Sequence, residues 1–411
     1  MMVDPPTNCD IAIVGGGPAG LAAATHLRKA GMGSVVVLER EPAAGGVPRH
    51  CGHYPFGLRE FRRLMKGPDY ARRLVSETEA AGATICTGAT VTALLAGPRL
   101  QIATARGIGE ISASLVLLAT GVRETSRAAR LLGGTKPAGV ITTGTLQSMV
   151  YLDRSRPFRH PVILGTELVS FSAIMTCRHL GIQPVGMIEP SNRATARWPA
   201  SQFPRLTGVP LHLDTECRSI QGRDTVTGVT VKNANKTHTI DCDGVIVSGK
   251  FRPDAPLLHT SKLEYDPASG GPVVDQYGRC SDPDYFAAGN LLRAVETAGW
   301  SWNEGRQMAN IMAAALKGSL PDTRALSIKT DSKALGYCVP QTLSPPCGVT
   351  PLPSIQLRVN RPFRGRVALL ADGKEVVARS INTLPERRIL LTCPDIPGGS
   401  EFELRMEENA S

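Results

Sequence analysis

The stretch Asp10–Glu39 reads DIAIVGGGPAGLAAATHLRKAGMGSVVVLE, and its order of apolar run, glycines, alanine-rich run, second apolar run and acid decides the fold class. The β-branched run before Gly15 reads as a buried strand, and the segment after Gly20 has the composition of a helix. Gly15 permits a tight turn, Gly17 allows close backbone approach to a pyrophosphate, and Gly20 lets helix and strand touch. A helix start at this point offers free N–H groups to phosphates. Glu39 follows Gly20 by 19 residues, where an acid accepts ribose hydroxyls. Taken together these predict a βαβ dinucleotide-binding unit in an α/β fold.

A second segment starts the same way and then departs. In His160–Gly181, HPVILGTELVSFSAIMTCRHLG, strand and helix signals recur and Glu189 follows at the end of a later apolar run. The three fingerprint positions hold Gly165, Glu167 and Ser170. A carboxylate at the second position brings bulk and negative charge to the place of a diphosphate, a repulsion of about 1 to 4 kcal/mol per close pair at partial exposure. This predicts an inserted nucleotide-type domain whose NAD(P)H site is degenerate.

Composition bounds the remaining options. The 411 residues carry 46 basic and 36 acidic side chains, a formal charge of +10. No long basic run or aromatic-basic interleaving accompanies that charge, so nucleic acid is not expected as a partner. Ten cysteines are scattered without a C-x-x-C pair, which gives neither a zinc ribbon nor an iron-sulfur pattern and no metal site. The opening MMVDPPTNCD lacks a secretory pattern, and no apolar run approaches the roughly 18 residues of a membrane span. The expected location is cytoplasmic.

The chain continues past Glu39 as REPAAGG. The pair Gly45-Gly46 resembles the second pyrophosphate crossing of flavoproteins with two dinucleotide domains, and that resemblance implies FAD. LVLLATGVRE and PDYFAAGNLL resemble two further signatures of these proteins, with Asn290 in place of the usual aspartate beside the flavin ribitol. GGVPRHCGHYPFGLREFRRLMKGPDYARRL, GTKPAGVITTGT and DPASGGPVVDQYGRCSDPDYFAAGN together resemble the thioredoxin-reductase-like FAD/NAD(P) pyridine nucleotide-disulfide oxidoreductases associated with glycerol-3-phosphate dehydrogenases. More distantly they resemble the alpha subunits of opine, proline and cyanide-forming dehydrogenase complexes. The likeness covers roughly residues 8 to 318.

The resemblance implies FAD contacts from Gly15, Gly17, Pro18, Ala19, Gly20, Glu39, Arg40, Gly45, Gly46, Val47, Val91, Thr120, Gly121, Gly289, Asn290 and Ala298. After Asn290 the pattern turns helical; if that helix, from around Thr297 to Trp302, points its N-terminus at the flavin, its positive end stabilises the anionic reduced flavin. Dithiol members carry two cysteines after the glycine pair; here those positions hold Pro48 and His53, which excludes a disulfide relay. His50, Cys51 and His53 are the candidate catalytic residues, through proton movement by an imidazole, or else they shape the pocket or contact a partner.

The expected organisation is an FAD domain of residues 1–122 and 247–318, a degenerate NAD(P)-type domain at 123–246, a linker at 319–349 and an antiparallel β domain at 350–411. The last rests on polar-apolar alternation with DG and NTLP turns. The expected function is an FAD-dependent oxidoreductase, a flavoprotein subunit passing electrons between FAD and a small organic substrate or a partner dehydrogenase subunit. Alternatives are an NAD(P)H-dependent flavoenzyme acting alone, homo-oligomeric or not, and a non-catalytic FAD-binding assembly subunit.

Overall fold

The computed structural model describes residues 3–234, 236–321, 325–330, 332–393 and 401–409. It divides into two compact units, one of Met1–Gly46, Ala71–Val122 and Pro253–Ser411, the other of Val47–Tyr70 and Arg123–Arg252.

In the first unit, strand Asn8–Val14 lies between the parallel strands Val35–Glu39 and Gly107–Leu118. Thr84–Thr87 extends the parallel array on one side, and Tyr285–Ala287 joins Gly107–Leu118 in parallel. Thr90–Leu95 and Arg99–Thr104 form an antiparallel meander with Gly107–Leu118. Ile11, Ile13 and Val37 are fully buried, as expected of central strands covered on both faces. Helix Pro18–Lys29 starts on a proline and buries an alanine-leucine face. Helix Ala298–Ala315 packs so closely on it that a Cβ at Gly305 would fall 2.0 Å from Ala19 O.

In the second unit, five parallel strands run in the order Leu211–His212, Gly186–Ile188, Pro161–Leu164, Gly244–Val247 and Val140–Thr142. A smaller sheet joins Lys236–Asp241, Val226–Asn233 and Thr215–Gly222 as an antiparallel set, with Gly133–Gly134 alongside. Two boundaries differ from the sequence-based ones. Residues 47–70 belong to this unit, where the Cys51 thiol donates to Gln147 Oε1. The return to the first unit comes at Pro253 rather than residue 247, because Arg130 holds Ser248 O and Gly249 O while Glu124 and Glu167 accept the Gly249 and Lys250 N–H groups.

The last part of the first unit is a β module of two sheets. One has the order Thr342–Leu343, Leu326–Lys329, Phe402–Glu408, Phe363–Ala371, Lys374–Thr383; the other has Leu335–Val339, Ser354–Val359, Ile389–Thr392. The DG pair turns as its composition demands: Asp372 and Gly373 have φ of 49° and 73°, both positive as in a type I′ hairpin. Ile355, Leu357, Val367, Leu369 and Leu404 are fully buried in its core. Residues 319–349, expected as a linker, instead supply three of these strands, and Ile328 and Leu335 pack on the module core. The polar composition that suggested a linker belongs to short strands that are only partly buried, two of them, Leu335–Val339 and Thr342–Leu343, at sheet edges.

Candidate functional site

The first cradle has the geometry its glycines predict. Gly15 adopts φ +111°, and a Cβ there would sit 2.4 Å from Ala119 O. A Cβ at Gly20 would lie 2.1 Å from Gly15 O, so helix and turn meet only because both residues lack one. Around Gly17 a Cβ would meet nothing within 4 Å, and no side chain caps the helix it starts. Among the described residues, the start of this helix thus combines open space at Gly17 with the absence of a side-chain cap. Gly45 N–H donates to Gly16 O at 2.7 Å, and a Cβ at Gly46 would come 2.9 Å from Gly17 Cα, so the glycine pair packs directly against the turn.

Glu39 is buried, accepting the Gly16 and Glu41 N–H groups at 3.0 and 2.9 Å. Val91 is buried at the start of the strand whose approach is set by Ala89 N–H on Glu39 O. Thr120 Oγ1 donates to Asp254 O at 2.7 Å, Asp254 N–H bonds Gly121 O, and Arg40 pairs with the Asp254 carboxylate at 3.2 Å. Pro18 begins the helix, and Ala19 abuts Gly289, where a Cβ would fall 2.9 Å from its own Cβ.

The late motif is held by groups that sequence reading missed. Gly289 N–H donates to Glu304 Oε2 at 2.7 Å, and Arg293 Nη2 donates to Glu304 Oε1 at 2.8 Å; Arg293 and Glu304 are both buried. Burial disfavours the Arg293 cation, and the adjacent Glu304 carboxylate more than reverses that. No local signal marked the pair, since an acid in a helix needs a cationic partner only once it is buried, and the fold buries Glu304. Asn290 closes its own loop, with Oδ1 accepting Glu296 N–H at 2.7 Å and Nδ2 donating to Glu296 O at 3.0 Å. Ala298 opens an 18-residue helix with no side-chain cap. Ser301 Oγ is buried beside Gly289 with no partner among the described residues, an orphaned hydroxyl that a polar ligand group would satisfy.

The second nucleotide fold repeats the first in outline and differs at its contacts. Gly165 keeps φ +114° with close approach to Ser248 O. The next residue is Thr166, where the first fold has Gly16, and its hydroxyl donates to Glu189 Oε2 at 2.5 Å. Glu189 Oε1 accepts Ser191 N–H at 3.1 Å, mirroring Glu39 and Glu41. Glu167, at the start of helix Leu168–His179, has its Oε1 on Lys250 N–H at 2.7 Å. Ser170 bonds Ser248 Oγ at 2.9 Å, as does Thr143 at 2.8 Å. The neighbouring helix Thr143–Tyr151 has its first turn met by Glu124, whose Oε2 accepts Gly144 N–H at 2.7 Å; burial raises the Glu124 pKa despite such bonds.

In the loop after the glycine pair, Val47 is exposed while Cys51 is buried, its thiol donating to Val47 O and Gln147 Oε1. Burial, with Glu124 adding to it, pushes the Cys51 pKa to about 12, so the group is a packed thiol and no nucleophile at neutral pH. Burial, with Arg49 nearby, lowers the His50 pKa to about 4, and burial lowers that of His53, whose Nδ1 lies 2.9 Å from Tyr54 O. Both imidazoles are therefore neutral at pH 7 and act as acceptors more readily than as proton donors. Among the described residues, no helix is long and apolar enough to cross a membrane.

Comparison with curated proteins gives no match. Among solved structures, thioredoxin reductase of T. acidophilum matches with TM-score 0.63 and 21% identity, over 76% of this chain and all of that one. L-proline dehydrogenase of P. horikoshii matches with TM-score 0.57 and 20% identity, over 75% of this chain and 56% of that one. A NAD-dependent persulfide reductase of A. fulgidus matches with TM-score 0.60 and 17% identity, over 93% and 73%. At these identities the likeness is one of fold. The family model for pyridine nucleotide-disulphide oxidoreductases matches residues 9–313, about three quarters of the sequence. The chain therefore belongs to the pyridine nucleotide-disulphide oxidoreductase family of FAD/NAD(P)-dependent oxidoreductases.

Proposed function

We propose that this chain binds FAD in the first cradle and works as the flavoprotein subunit of a dehydrogenase, exchanging electrons with a small organic substrate or a partner subunit rather than with NAD(P)H. FAD supplies hydride and electron transfer when bound. Gly15, Gly17, Gly20 and Gly46 give the diphosphate its backbone approach, Glu39 is placed for a ribose, and the uncapped helix start at Ala298 favours negative charge on the flavin. Asn290, whose side chain already closes its own loop, positions the late motif and has one further donor for a ribitol hydroxyl.

The observation that carries the reading is the contrast between equivalent acids. Glu39 faces a cradle of glycines with open space at Gly17. Glu189 is engaged by the Thr166 hydroxyl, and the Glu167 carboxylate stands at the helix start. Two features favour the alternative of an NAD(P)H-using flavoenzyme: the retained Gly165 turn and the retained Glu189. Anaerobic titration of the purified flavoprotein separates them. Flavin bleaching by stoichiometric NADH or NADPH overturns the proposal. Bleaching only by an organic donor, or only after native partners are co-purified, supports it. A location in the cytoplasm and assembly with a partner subunit or a second copy belong to the same reading.

A further inference from the structure

The segment that follows Asn290 is gripped by the C-terminal β module, one residue at a time. Arg293 Nε donates to Gln356 Oε1 at 2.9 Å. Ala294 O accepts the Tyr337 hydroxyl at 3.4 Å, and Val295 O accepts Arg358 Nη2 at 3.3 Å. Glu296 Oε2 accepts Arg388 Nη1 at 2.5 Å, and the Arg388 guanidinium carbon sits 4.0 Å from the Trp300 ring centroid. Four consecutive residues thus each meet a different module side chain, just before the helix that starts at Ala298.

Arg293 pairs with Glu304 and Arg388 with Glu296, while Arg358 reaches the carbonyl beside Glu296. The Glu296 side chain is only 8% exposed, its Oε1 has no partner among the described residues, and Arg388 is 19% exposed. In so little water, the field of these groups at the helix start is weakly screened.

We propose that Arg388 is a positioning residue through which the C-terminal module sets the geometry and the electrostatic potential of the flavin-facing turn Gly289–Trp300. This rests on FAD binding in the first cradle. Arg388 acts in two ways. Its stacking on Trp300 and its bond to Glu296 orient the first turn of the helix, and its positive charge adds to that of the helix end. Loss of that charge disfavours an anionic reduced flavin, whereas loss of the Glu296 charge favours one.

The test uses full-length holoprotein and measures the visible flavin spectrum and the flavin midpoint potential by anaerobic dye equilibration. Arg388→Ala shifts the potential negative and Arg388→Lys restores most of it. Glu296→Gln shifts the potential in the opposite direction. Arg366→Ala, which breaks the exposed Arg366–Glu375 pair elsewhere on the module, leaves it unchanged. Circular dichroism checks that the module stays folded; where Arg388→Ala does not fold, Glu296→Gln and Arg388→Lys carry the comparison. Same-sign shifts in the Arg388 and Glu296 variants, or none, overturn the inference while leaving FAD binding intact. Absence of flavin from the unmodified chain overturns both.

Discussion

Replacing Thr166 and Glu167 together by glycine tests most directly the proposal that the second cradle refuses a dinucleotide. Glu167 stands at the start of helix Leu168–His179 with its carboxylate on Lys250 N–H, and a diphosphate bound there shares its neighbourhood. At about 4 Å, charge repulsion is worth roughly 1 kcal/mol in a water-like medium and about 4 kcal/mol near a protein surface. With about 1.4 kcal/mol per decade, removing one such pair tightens NADH by roughly fivefold to a thousandfold. The Thr166 change frees a Glu189 oxygen for a ribose hydroxyl, a further contribution of about 1.5 to 3 kcal/mol for a hydrogen bond to a charged group. At Glu167 the cost to folding is small, since Lys250 is exposed and glycine is well tolerated at a helix start, whereas Thr166 is fully buried and its hydroxyl also accepts Thr195 N–H, so circular dichroism checks that the double variant is folded. Anaerobic stopped-flow bleaching of the flavin, with an NADH titration by calorimetry, reads the outcome. A dissociation constant at least tenfold lower than that of the unmodified chain is expected. Micromolar NADH binding by the unmodified chain, or a folded double variant with unchanged affinity, refutes the reasoning.

Gly20→Ala places a methyl group 2.1 Å from Gly15 O, so the purified protein should lose its flavin absorbance or bind FAD far more weakly. Glu39→Gln removes the anionic acceptor of the Gly16 N–H and should weaken FAD by about tenfold, read by fluorescence titration of the apoprotein. Arg293→Ala strands the buried Glu304 carboxylate and should destabilise the first unit by about 3 to 5 kcal/mol in urea unfolding. His50 has a folded pKa of about 4, below its ordinary value of 6.5, because its charged form is poorly solvated. The stability tied to its neutral form is present above pH 6.5 and is lost as pH falls towards 4, up to roughly 3 kcal/mol. His50→Asn should flatten that part of the unfolding profile.

Much of the first unit was legible because a glycine requirement is a local steric fact. Gly15, Gly20 and Gly46 lack a Cβ at points where backbone comes within van der Waals distance, and a sequence displays that need directly. The DG hairpin was readable for the same reason, since positive φ at two successive residues selects composition. The departures at Glu167 and Ser170 were visible too, but not the part of Thr166, whose hydroxyl matters only because the fold brings Glu189 to it from 23 residues away. Residues 319–349 misled because short strands that are only partly buried share their composition with linkers.

What the sequence alone determined is the pair of nucleotide folds, with three glycines at the fingerprint positions of one and a single glycine at those of the other, since these depend on spacing within about 30 residues of chain. Only the tertiary structure decided how the remaining polar groups are matched. Buried charges must find partners wherever the fold offers them, and Arg293 with Glu304, Glu124 with two backbone amides, and Arg388 with Glu296 are separated by 11 to 125 residues. Desolvation enforces such pairings without regard to distance along the chain, so no local pattern announces them.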